Sequence, residues 1–85
     1  MQKFHSVQDV LEAVKQMRDG LGVAGHQASA KELDDVLETY FSSSTECLGE
    51  IREALNRTRP AWTGSTVRSL GEHVVKEATR LMHLE

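Results

Sequence analysis

The chain reads as all-α, a small bundle of four short amphipathic helices forming one domain over residues 1–85, and three observations point there. Apolar residues recur at helical spacing in four separate stretches. Only four residues are aromatic (Phe4, Tyr40, Phe41 and Trp62), so the core must come from Leu, Val, Ile, Met and Ala, which suits helices better than a sheet. Between the stretches stand a glycine-rich connector, a hydroxyl run and a proline, each a known interruption of regular structure. At 39% apolar and 27% charged residues the composition is that of a folded protein, not a disordered one. A domain of 85 residues buries a thin core, and completion of that core by homodimerisation is expected.

In the first stretch Val7, Val10, Leu11, Val14, Met17 and Leu21 lie on one face, and Ser6 with Asp9 forms a weak relative of a capping box. A helix over residues 7–19 follows, with Gly20 as its stop. Leu21 and Val23 are expected to tuck inward from the connector GLGVAGHQA. Ser29 and Glu32 have the spacing of a full capping box, which opens a second helix over 30–41 with Leu33, Val36, Leu37, Tyr40 and Phe41 as its stripe.

The run SSST at 42–45 then raises a choice. Each hydroxyl residue costs a few tenths of a kcal/mol in a helix interior, roughly 2 kcal/mol together, and Ser43 with Glu46 repeats the capping-box spacing. A break or sharp kink is therefore expected near Ser42 to Ser44. The alternative is one continuous helix, because Leu37, Phe41, Ser44, Leu48, Ile51 and Leu55 keep an unbroken register. A third helix covers 44–57, with Glu53 and Arg57 as an i,i+4 pair. Pro60 ends it. Thr63 is expected to cap a fourth helix over 64–82, with Trp62 packed on Val67 as a hydrophobic staple and Gly71 allowing close helix approach. Leu84 and Glu85 have the look of a cloning-derived dipeptide and carry no functional weight.

Charge is unevenly spread. Residues 1–46 carry four cations against eight carboxylates, and the remainder is +1, for a net charge of −3. A general polyanion binder would be basic. The start MQKFHSVQDV lacks an apolar run of secretory length, no eighteen consecutive apolar residues occur, and a single cysteine suits a reducing compartment, so a cytoplasmic protein away from membranes is expected.

Chemistry-bearing residues are sparse. Cys47, in the first turn of the third helix, has the position of an activated thiol, but it shares a stripe with Leu48 and Ile51 and no spacing sets a histidine beside it. It reads as a small core residue. His73 and Glu77 stand one turn apart and read as a solvated pair, since two ligands make no metal site and HExxH is absent. His5, His26 and His83 form no recognisable spacing. The sequence contains no phosphate loop and no nucleophile elbow. No catalytic residue, cofactor or metal is assigned.

Two functional classes remain. The first is a non-catalytic protein–protein interaction module, a regulator or adaptor that binds itself and an unknown protein through Tyr40, Phe41, Val75, Leu81 and Met82, residues that extend the apolar stripes beyond a narrow seam. The second is an accessory nucleic-acid-binding regulator in which Arg57, Arg59 and Arg68 contact phosphate. Helix-turn-helix reading by the third helix is disfavoured, because Glu46, Glu50 and Glu53 would face the phosphate backbone.

Overall fold

A computed structural model describes residues 3–83; Leu84 and Glu85 lie outside that range. Four helices, α1 (Val7–Val23), α2 (Gln27–Glu38), α3 (Ser44–Thr58) and α4 (Ser65–His83), are joined by short links, with a single 3-10 turn, Arg59–Ala61, after α3. No strand occurs among the described residues. Each helix packs on its neighbours in the order α1, α2, α3, α4 and back to α1. Cross-contacts fix the directions. Arg57 near the end of α3 meets Glu32 in the first half of α2, and Arg18 late in α1 meets Asp34 in the second half of α2. Phe4, just before α1, meets Glu77 and Arg80 near the end of α4. Neighbours are therefore antiparallel, as short connections require. The smallest dimension of 17 Å corresponds to two helix layers.

Between those layers lies one core, in which Met17, Leu21, Leu33, Leu48, Ile51, Leu55, Val10, Val14 and Val74 are fully buried. This core explains why Gly20 does not end α1. An interior glycine costs about 1 kcal/mol, whereas burying Leu21 returns about 1.5–3 kcal/mol, and Leu21 reaches the core only if the helix continues. Gly20 instead sits where α1 crosses α4, and a Cβ there would stand 3.3 Å from Val67 Cγ2. The stop falls at Gly25, whose φ of +89° only glycine adopts readily. There the His26 amide donates to the Leu21 carbonyl (2.9 Å) and the Gly25 amide to Gly22 (3.1 Å), a Schellman arrangement. Val23, expected inside, is 92% exposed.

This turn also displaces the start of α2. His26 occupies the cap position and its carbonyl accepts from the Ala30 amide at 3.0 Å, so Ser29 lies inside the first turn and caps nothing. Glu32, freed from the expected box, pairs with Arg57 across α2 and α3, which replaces the anticipated Glu53–Arg57 pair. α2 ends at Glu38, three residues early, because the Thr39 hydroxyl donates to the Asp35 carbonyl (2.7 Å) and turns the chain. The hydroxyl run is indeed a break. Ser43 caps α3 by accepting from the Glu46 amide at 3.1 Å, while the Glu46 carboxylate is held by the Ser42 hydroxyl (3.2 Å).

Trp62 is buried, but not as a staple at a Thr63 cap. α4 begins at Ser65, and the Gly64 carbonyl accepts from the Arg68 amide at 2.9 Å. The indole lies against Gly71, where a Cβ would come within 2.8 Å of the ring, and its Nε1 donates to the buried Thr58 hydroxyl at 3.2 Å. Gly71 thus seats a ring; it is not there to bring two helix backbones together.

Candidate functional site

At the end of the bundle where α1 and α3 begin and α2 stops, the early termination of α2 leaves an open groove. α1 contributes Val7 and Leu11, the last turn of α2 Val36 and Leu37, the link Tyr40 and Phe41, and the first turn of α3 Cys47. Thr39 and Ser42 to Ser44 supply hydroxyls along one edge. The space measures about 450 Å³ and no lining residue is charged. Val7, Leu11, Val36, Leu37 and Phe41 pack partly against the core, and Tyr40 is 89% exposed. Tyrosine supplies a large apolar body with a polar tip, and here that body is left in water beside half-covered aliphatic side chains.

Cys47 sits at the floor of this groove, and burial pushes its thiol up, opposite to the direction an activated nucleophile needs. Its amide donates to the Ser43 carbonyl at 3.1 Å, so the helix terminus does not bring a free amide to the sulfur.

Glu77 is not the solvated residue expected beside His73. It is buried at 4% exposure, accepts from the Phe4 amide at 2.7 Å and pairs with Arg80, which also donates to the Phe4 carbonyl. The Arg80 hydrogen bond, followed by the Phe4 amide, holds the carboxyl at about 2, outweighing the burial that acts in the other direction. His73 meets the Phe4 ring edge-on, with centroids 5.0 Å apart. The arrangement pins the segment preceding α1 onto α4 as a structural clasp. A second concavity of about 530 Å³ lies beside Phe4, but it mixes Lys3, His5, Asp9, Glu12 and His73. Asp9 already accepts from the His5 amide and Glu12 from Gln8 and Lys15.

The arginines proposed for phosphate contact are engaged within the fold. Arg57 pairs with Glu32, Arg59 pairs with Glu72 and lies 4.8 Å above the Trp62 ring, and Arg68 donates to the Trp62 carbonyl at 3.4 Å. Two of the three thus carry a carboxylate beside any incoming phosphate. Of the five residues expected to form an interface, Leu81 is buried at 8% exposure and belongs to the core, because α4 turns that face to α1 and α3. Val75 and Met82 are half-buried and outside the groove, with Met82 close to Gly49 on α3. Tyr40 and Phe41 remain, joined by Val7, Leu11, Val36 and Leu37, which their periodicity assigned to the core face. The adjacent apolar pair Val36-Leu37 before Tyr40-Phe41 was the available signal, since four such residues in six positions exceed what one helix stripe can bury.

Among the described residues, no group of three His, Cys, Asp or Glu is placed to hold a metal ion, and no helix is long and apolar enough to cross a membrane. Comparison with protein-family models, curated proteins and solved structures finds no match to this chain.

Proposed function

We propose that the protein is a non-catalytic interaction module, a small regulator or adaptor of a reducing compartment, that works by seating a partner in the groove at the α2–α3 link. The observation that carries this reading is the uncharged, solvent-open lining with Tyr40 at its edge. Elsewhere ion pairs such as Arg18–Asp34 and Arg57–Glu32 join neighbouring helices, and no buried side-chain nitrogen or oxygen among the described residues lacks a hydrogen-bond partner. An exposed apolar face with no such polar work around it is how a soluble protein marks a binding surface.

Val23, 92% exposed at the opposite end of α1, is the natural control for Tyr40. In affinity capture from the source cell, Tyr40→Glu is expected to lose the partner that wild type and Val23→Glu both retain. Equal capture by all three proteins would remove the groove as the docking site. Sedimentation across micromolar concentrations identifies a second copy as the occupant if wild type associates and Tyr40→Glu does not. Binding through Arg57, Arg59 and Arg68 would instead appear as a duplex-DNA complex that weakens steeply with salt.

A further inference from the structure

We propose that the occupant of the groove is an amphipathic helix with a basic flank; this rests on the reading of the groove as a docking face. The lining itself is uncharged, so any charge selection must come from the rim. Of the four charged residues next in sequence to a lining residue, Asp35, Glu38 and Glu46 flank the α2–α3 link and all are acidic, with Glu46 held by the Ser42 hydroxyl of the lining, while Glu12 belongs to the second concavity. Glu12 is bonded by Lys15 and Asp35 by Lys31, and Glu46 stands in the first turn of α3, where a carboxylate suits the helix dipole.

Glu38 differs from all of these. It is the last residue of α2, where the carbonyl end of the dipole disfavours an anion, and that turn contains no basic residue. It is exposed and has no cationic partner among the described residues. Its neighbours Leu37 and Thr39 both line the groove, which puts the Glu38 backbone at the groove's edge. A second copy docked on the same face would bring Glu38 and Glu46 towards the same carboxylates about a two-fold axis, a like-charge arrangement. A helix is favoured over an extended segment because the groove borders are three helix ends and a capped loop, with no sheet edge to augment. Apolar side chains at i, i+3, i+4 and i+7 on such a partner would enter between α1 and α2 while its lysines or arginines pass over Glu38 and Glu46.

The probe is a pair of synthetic helices about 18 residues long, long enough to hold helical structure, with identical leucine stripes and either lysine or glutamate at the flanking positions. Each is titrated into the full-length protein while backbone amide shifts are followed. The lysine peptide is expected to shift Val36, Leu37, Phe41 and Cys47 and to bind about tenfold more tightly than the glutamate peptide. Glu38→Lys is expected to abolish that preference, and added salt to narrow it. Equal affinity of both peptides at the groove amides would overturn the basic partner and leave the docking face standing. Shifts confined to other surfaces, or no binding by either peptide, would overturn both. Unchanged circular dichroism and melting of Glu38→Lys keep the comparison free of a folding defect.

Discussion

Glu77 shows how one side chain changes meaning once its neighbours are known. On the α4 stripe it stands three residues after Val74 and beside Ala78, positions that already belong to the core face. Its carboxylate is buried because Arg80, one turn on, and the Phe4 amide supply partners that offset desolvation. Replacing it with Gln leaves the shape and removes the charge. Glu77→Gln is expected to cost about 1–3 kcal/mol at neutral pH and to speed hydrogen exchange at the Phe4 amide. The folded carboxyl titrates at about 2, below its ordinary 4.5. Its contribution is therefore full above pH 4.5 and is lost as the pH falls towards 2. Wild type and variant should converge in denaturant midpoint across that window, and a gap of unchanged size at its acid end would show that the carboxylate charge is not the source of the stabilisation.

Among the elements, Ser43 and Ser29 make a matched pair. Ser43 accepts from the Glu46 amide and Ser29 caps nothing, although both sit three residues before a glutamate. Ser43→Ala is expected to lose about 1 kcal/mol. Ser29→Ala should be neutral or stabilising by a few tenths of a kcal/mol, since alanine is the better interior residue. Chemical denaturation of both variants reads this directly. The difference arises upstream: the Gly25 turn delivers the chain to α2 three residues early, and its backbone hydrogen bonds occupy the role the Ser29 box would have filled.

The whole molecule is held by a single core that every helix shares and by a clasp joining its two ends, with Phe4 and Glu77 separated by 73 positions in sequence. Cooperative unfolding follows. A chain of this size carries about 4–13 kcal/mol of stability, and Leu55→Ala, at a site with no exposure, is expected to remove about 2–5 kcal/mol. Circular dichroism and Trp62 fluorescence should move to lower denaturant together. Separated transitions would mean that the α3–α4 half unfolds apart from the rest.

The four apolar stripes, the Ser43 cap, the Pro60 interruption and the structural nature of Cys47 and Trp62 were legible in the residues, because period, capping chemistry and ring constraint act within one turn of the chain. The continuation of α1 past Gly20 was not, since it depends on Leu21 reaching a core built by other helices. Nor was the burial of Glu77, whose partner amide arrives from the far end of the chain. The groove lies on the same boundary. Tyr40 and Phe41 were recognisable as surplus apolar surface, but that Val7, Leu11, Val36 and Leu37 remain half-open beside them while Leu81 closes was decided by where α2 stops and which helices meet there. Local spacing determines which residues share a face; only packing between helices determines which part of that face is covered.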